Sequence, residues 1–230
     1  GVGAGVLCIS AFVKNVRPPA RPAGEPFLNF GSVNEVEPRY RSTFAVVIFG
    51  TFVDSLYRTM TNSLLPLYVV TQRGFSSADL GALFGIIGLM NVAFIVPTGF
   101  ISDKLGRKAA SVPSAALMAA SFFLFPVADS FNWLAVGCLI LASGAGLGNG
   151  SKASYSYDVI PVHARGRLQA MRRTLGELGA LSGPLVGGII ADLLYPGAAF
   201  WAFAPLQVIS TLLFVFVAKE TMGRRRERVG

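Results

Sequence analysis

The sequence predicts an all-α membrane protein built on six spanning helices. Three observations carry that reading. The chain has 230 residues, 53% hydrophobic and only 14% charged, with a mean hydropathy of +0.57, whereas soluble domains carry about 25% charged residues. Six apolar segments, at about 43–70, 79–101, 109–128, 131–153, 170–194 and 198–218, each approach the ~20 residues that take a helix across a hydrocarbon core. Period-2 alternation is absent from them, which argues against a membrane barrel, and a helix satisfies its backbone amides internally, as lipid demands.

The elements follow in chain order. Residues 1–13, GVGAGVLCISAFV, are apolar, with no basic stretch before them and no clear small-residue cleavage site after them. They differ in this from a secretory leader and read as the tail of a preceding transmembrane helix, so that the sequence is expected to be a piece of a longer chain. Residues 14–42, KNVRPPARPAGEPFLNFGSVNEVEPRYRS, hold five prolines, which block a long helix, and read as a cytoplasmic linker. Residues 43–220 form one six-helix transmembrane domain, and 221–230 a basic cytoplasmic tail.

The formal charge of +8 raises a nucleic-acid partner, and its distribution rejects one. Lysine and arginine gather in 14–41, 104–108, 152–173 and 219–228, all on one side of a six-helix topology; Arg73 is alone on the other side and Arg58 lies inside the first helix. Such a bias places both ends of the six-helix unit in the cytoplasm. Cys8 and Cys138 sit in apolar runs and read as small buried hydrophobes. His163 is the single histidine and reads as a surface residue, so no metal site is expected. No nucleophile–base pair, metal cluster or phosphate-cradling glycine loop stands out, so neither an enzyme nor a cofactor is expected.

The first segment carries the polarity that matters most. Asp54 lies ~17 Å in from Thr43 at 1.5 Å per residue, near the middle of a ~30 Å core. Arg58 follows one turn later on the same face, and Thr51, Ser55, Thr59 and Asn62 continue the stripe. Ionisable groups at that depth are expensive and face a cavity or a partner. Two readings stay open. Asp54 and Arg58 form a structural ion pair, or the stripe lines a solute or proton pathway in which Arg58 attracts an anionic group and Asp54 responds to a proton or to substrate. Asn91 and Asn149 are further inward candidates, and Tyr155 falls near the cytoplasmic mouth. Glu177, four residues after Arg173, reads as its local partner. The third and sixth segments hold no charge within their spans.

Glycines recur at four-residue spacing: Gly179, Gly183 and Gly187 in the fifth segment, Gly144 with Gly148 and Gly146 with Gly150 in the fourth, and Gly81 with Gly85 in the second. That spacing lets helix backbones approach closely in lipid. Pro184 should bend the fifth helix.

Between the second and third segments the apolar run breaks at GFISDKLGRKAA, residues 99–110. The pattern Gly99-x-x-x-Asp103-Lys104-x-Gly106-Arg107-Lys108 resembles the signature loop of the major facilitator superfamily of secondary transporters. The pattern Gly179-x-x-x-Gly183-Pro184-x-x-Gly187-Gly188 is similar to the glycine–proline motif of that family's antiporter branches, and PVHARGR before the fifth segment is similar to its Arg-Gly loop. The resemblance covers residues 43–220. In the loop, Gly99 and Gly106 would permit close backbone approach and a tight turn. Asp103 would meet the positive N-terminal end of a neighbouring helix. Arg107 and Lys108 would pair with carboxylates on other helices, Asp158 and Glu220 being the candidates. The spacing of Asp158 and Arg165 resembles one in the family's sugar-transporting branch. Such a charge network would hold one conformation of a rocking transporter and release it in another; the alternative is that the basic residues only set orientation.

The resemblance implies one half of a two-half transporter, with a small-molecule solute held between the halves near the midplane. The expected partners are the solute, protons in a coupled mechanism, the lipid bilayer, and the other half or a second copy of the chain. The apolar opening, the linker, and Ile140 near the position where N-terminal halves of proton-coupled members carry Arg point to the C-terminal half. The glycine–proline motif, best known from the N-terminal half, points the other way. A non-transporting membrane sensor or assembly partner of the same fold is the competing function.

Overall fold

The computed structural model describes residues 30–221, and among these there are helices and turns but no strand. Two short 3-10 turns, Phe30–Glu35 and Pro38–Tyr40, lead into α1, Arg41–Pro66, which runs on through a π-helical stretch, Leu67–Gln72. There follow α2 (Ser77–Ala93), α3 (Ile95–Lys104), α4 (Arg107–Leu124), α5 (Phe131–Val159), α6 (Arg165–Leu193) and α7 (Pro196–Phe216). The segment 1–13, the linker up to residue 29 and the tail from residue 222 lie outside the described residues.

Local chemistry accounts for the boundaries. α2 opens on a capping box in which Ser76 and Asp79 each accept from the other's backbone amide, worth about 1 kcal/mol. α2 and α3 are one apolar run bent by 43°. Pro97 lacks the N–H that would reach the Ala93 carbonyl, and its ring crowds that turn. By contrast, α6 continues as one element through Pro184. Gly106, at φ +107°, turns the chain from α3 into α4 in a conformation that side chains rarely adopt.

Among the described residues four helices, α4, α5, α6 and α7, are long and apolar enough to cross a membrane, and the bent α2–α3 pair makes a fifth. α1 is 26 residues long but falls short of that mark, because Asp54, Arg58 and its hydroxyl side chains dilute its apolarity. Length and hydropathy therefore give up to five of the six expected spans. α5 and α6 also reach beyond their expected limits. Arg165 and Arg167, which fall between the expected segments 131–153 and 170–194, are helical residues, since a helix need not end where the apolar stretch ends.

α1 packs most extensively along α6, and α4 along α5, with α7 against α4, α6 and α1. A Cβ at Gly179 would strike the Phe52 carbonyl, and one at Gly183 would stand 2.5 Å from the Leu56 carbonyl. Gly187 faces Leu64 and Met60, whereas Gly188, Gly81 and Gly85 face open space. One core cluster gathers Tyr57, Tyr68, Phe122, Phe125 and Phe200; a second gathers Tyr40, Phe44, Tyr155, Leu168 and Phe214. Val36 belongs to the second, so the end of the expected linker is packed against the bundle. Glu35 fastens it there, 2.6 Å from Arg167 and 3.4 Å from His163.

Candidate functional site

The polar side of α1 meets α5 at a buried ion pair. Lys152 Nζ donates to Asp54 Oδ2, and Gln207 Nε2 of α7 donates to Asp54 Oδ1 at 3.2 Å. The local Asp54–Arg58 pair is not formed. The reason is burial: the Lys152 side chain is 4% exposed and cannot go without a counter-ion, whereas Arg58 is exposed. A lone buried cation would cost several kcal/mol. Gly148 lets Ser114 of α4 approach α5 beside the pair, because a Cβ there would strike Ser114 Oγ.

Beside the pair lies a cavity of about 330 Å³. Asp54, Arg58, Asn62, Asn91 and Asn149 all line it, so the structure brings the five pathway candidates together. Lys152 and Arg172 join them, with Ile87, Met118 and Leu141 as apolar wall. Arg172 donates to Thr51 Oγ1 at 3.3 Å and to Gln169 Oε1 at 2.9 Å. Thr59 turns away and donates to the Ser55 carbonyl at 2.9 Å. Tyr155 is fully buried and donates to the Lys219 carbonyl, so it braces α5 against the end of α7 and lines no mouth. Met118 of α4 lines the cavity and Gln207 of α7 touches Asp54, so both of the segments that hold no charge contribute to the site.

A smaller cavity, about 220 Å³, shares Asn91 and Asn149 with the first and runs to Ser102, Asp103 and Arg107. There the buried Arg107 guanidinium is held by Asp103 at 3.0 Å, Asp158 at 3.0 Å and Ser102 at 2.7 Å. Glu220, beyond α7, accepts from the backbone amides of Arg107 and Lys108, each at 3.1 Å. The carboxylate seated on the positive N-terminal end of α4 is thus Glu220, where the sequence reading puts Asp103; Asp103 is drawn to Arg107 one helical turn away. Lys108 Nζ donates to the Val215 carbonyl, and Lys104 Nζ lies 4.4 Å from the centre of the Phe100 ring, so the side-chain pairing expected of Lys108 goes to a carbonyl. Asp158 does not pair with Arg165: it is taken by Arg107 and, at 3.3 Å, by the Thr221 hydroxyl. Arg165 lies over the Tyr157 ring, 5.5 Å from its centre. Gly99 meets nothing within 4 Å among the described residues, so of the two loop glycines it is Gly106 that is closely approached, by the Glu220 carboxylate. Arg173 and Glu177 stand 4.0 Å apart at the surface.

Residues 47–230 match the family model of the Major Facilitator Superfamily. The chain belongs to that superfamily. An uncharacterized MFS-type transporter of Mycobacterium tuberculosis (strain CDC 1551 / Oshkosh) is 25% identical over 83% of this chain and 26% of its own length. The quinolone resistance protein NorA of Staphylococcus aureus (strain MRSA252) is 26% identical over 74% of this chain and 43% of its own. A solved structure of a mutant peptide transporter POT in complex with sulfate matches with a TM-score of 0.66 and 19% identity, over 78% of this chain and 38% of that one, a likeness of fold alone. The chain therefore spans less than half the length of these relatives.

Three residues at the heart of this superfamily member escaped the sequence reading. Lys152 and Arg172 were absorbed into the orientation signal, since each lies near a chain stretch that looks like a loop. Gln207 carried a legible signal: it is the one side-chain amide in the 198–218 segment, and a buried amide needs a partner.

Proposed function

We propose that residues 43–220 are one six-helix half of a secondary active transporter, with α1 and the bent α2–α3 pair each serving as one span beside α4, α5, α6 and α7. A small solute binds in the cavity walled by Asp54, Arg58, Asn62, Asn91 and Asn149. The other half of the transporter, or a second copy of this chain, covers the open side, and the two rock about the solute to alternate access. Both ends of the unit face the cytoplasm, as the lysine and arginine bias supports. A proton taken up by Asp54 would release Lys152 and couple protonation to the rocking. The charge network around Arg107 is the latch of one conformation.

The observation that carries this reading is the Asp54–Lys152 pair in the wall of a cavity within an apolar helical bundle. Charges at membrane depth ordinarily mark a solute or ion path, and packing alone has no need of a cavity beside them. The test uses the full-length protein, free of other cysteines, with one cysteine in place of Ala145 in the cavity wall. Alternating access predicts labelling by a membrane-impermeant maleimide from both faces of oriented proteoliposomes. Labelling from one face only, under every ion gradient applied, would sink the reading.

A further inference from the structure

We infer that the solute carries a negative charge and that Arg58 and Arg172 are its binding groups; this rests on the transport reading. Three cationic side chains, Arg58, Lys152 and Arg172, line the cavity with one carboxylate, Asp54. Asp54 is committed to Lys152, which leaves two guanidiniums over. Arg172 is held by neutral oxygens only, Thr51 Oγ1 and Gln169 Oε1. Arg58 has no hydrogen-bond or ion-pair partner among the described residues and opens onto the cavity. The neighbouring acids are occupied elsewhere: Asp103 and Asp158 hold Arg107, and Glu177 faces Arg173.

Arg58 is exposed and Arg172 half-buried on the open side of the cavity; once the rest of the transporter covers that side and removes their water, each guanidinium is costly without an anion. A guanidinium presents a planar fork that fits a carboxylate or phosphate through two parallel hydrogen bonds. Asn62, Asn91 and Asn149 can orient polar groups beside it, and Ile87, Met118 and Leu141 receive an apolar body. The ligand chemistry that fits is an organic anion, a carboxylate or phosphate ester with an apolar portion. The same negative charge could come from a lipid headgroup or from an acidic side chain of the other half, and the experiment separates these sources.

The full-length protein is placed in nanodiscs of zwitterionic phosphatidylcholine and treated with phenylglyoxal, which modifies accessible guanidiniums and is blocked where an anion is bound. Peptide mass spectrometry reads the modification rates of Arg58 and Arg172. The probes are 1-naphthoate and its cationic counterpart 1-naphthylmethylammonium. The expected result is ready modification of both arginines, slowed about tenfold by naphthoate at about ten times its Kd, and unaffected by the cation. Protection by the cation, or by neither probe, overturns the proposal. So does resistance to phenylglyoxal without any probe, which would mean that an acid of the other half already holds the arginines. Protection that appears only when phosphatidylglycerol replaces phosphatidylcholine would assign the site to lipid and overturn it as well. The maleimide experiment reads access and this one reads charge preference, so either reading can fail alone.

Discussion

Lys152 governs what Asp54 can do. Its side chain is 4% exposed, that of Asp54 24%, so the two mutations are not equivalent. Asp54→Asn strands a buried ammonium and should cost about 3 kcal/mol. Lys152→Met leaves a carboxylate that is partly solvated and still accepts from Gln207, and should cost less. The double variant should be more stable than Asp54→Asn alone, because it removes the stranded charge. Thermal unfolding of the full-length protein in detergent checks this; equal losses from both single variants, adding in the double, would show that the pair is not coupled. Glycine positions divide in the same way. Gly106→Ala must adopt φ +107° and brings its Cβ to 2.6 Å from Glu220 Oε2, a loss of about 1–3 kcal/mol, whereas Gly99→Ala, inside α3, meets nothing within 4 Å and should leave stability unchanged or raise it by up to about 1 kcal/mol. Comparing the melting temperatures of the two variants decides it. A large loss at Gly99 would place a neighbour from outside residues 30–221 against it. Asp54 was legible because a carboxylate stands out in an apolar run. Its partner was not, because sequence distance says nothing of which facing helix supplies the cation, and a lysine near the end of an apolar run looks the same whether it orients the chain or fills its interior.

Between elements, the α1–α6 contact shows both the reach and the limit of a spacing rule. Gly179, Gly183 and Gly187 lie on α1 as their four-residue interval suggests, and Gly188 beside them lies on nothing. Gly183→Ala drives a methyl to 2.5 Å from the Leu56 carbonyl and 3.1 Å from Thr59 Oγ1, and must push the helices apart at a cost of about 2 kcal/mol. Gly188→Ala should be neutral or gain up to about 1 kcal/mol of helix propensity. Chemical unfolding of the two variants would show whether they separate in that order. Gly81 and Gly85 obey the same interval yet face open space, because the interval marks a face that can be approached and not the helix that approaches it. The break between α2 and α3 was hidden in a continuous apolar segment: hydropathy counts Pro97 as a tolerable residue, and says nothing of its missing amide and crowding ring. The six apolar segments were legible as helices because lipid leaves the backbone little else to become, while α1 failed a test of apolarity for the same reason that it matters, its polar stripe.

At the scale of the molecule, Arg107 joins the α3–α4 turn to α5, and Glu220 joins α4 to the chain beyond α7. The motif residues of this network were legible as charges at a turn between apolar segments; their pairing was not, since one arginine faced Asp103, Asp158 and Glu220 with equal chemistry and only the packed bundle chose. Magnitudes rank the contacts. The Asp103 side chain is 54% exposed and that of Asp158 19%. An exposed pair is worth about 0.2–1 kcal/mol, and breaking a largely buried one costs about 3 kcal/mol or more. If the network is the proposed latch, Asp158→Asn should move the balance of conformations further than Asp103→Asn does. At 1.4 kcal/mol per factor of ten, the first should shift it about a hundredfold and the second by less than about fivefold. Spin labels on the cytoplasmic ends of the two halves of the full-length protein, with distances read by pulsed electron resonance, report the populations directly. The latched distance should nearly vanish in Asp158→Asn and persist in Asp103→Asn. The opposite order would mean that the exposed loop carboxylate, and not the buried contact across to α5, holds the closed state.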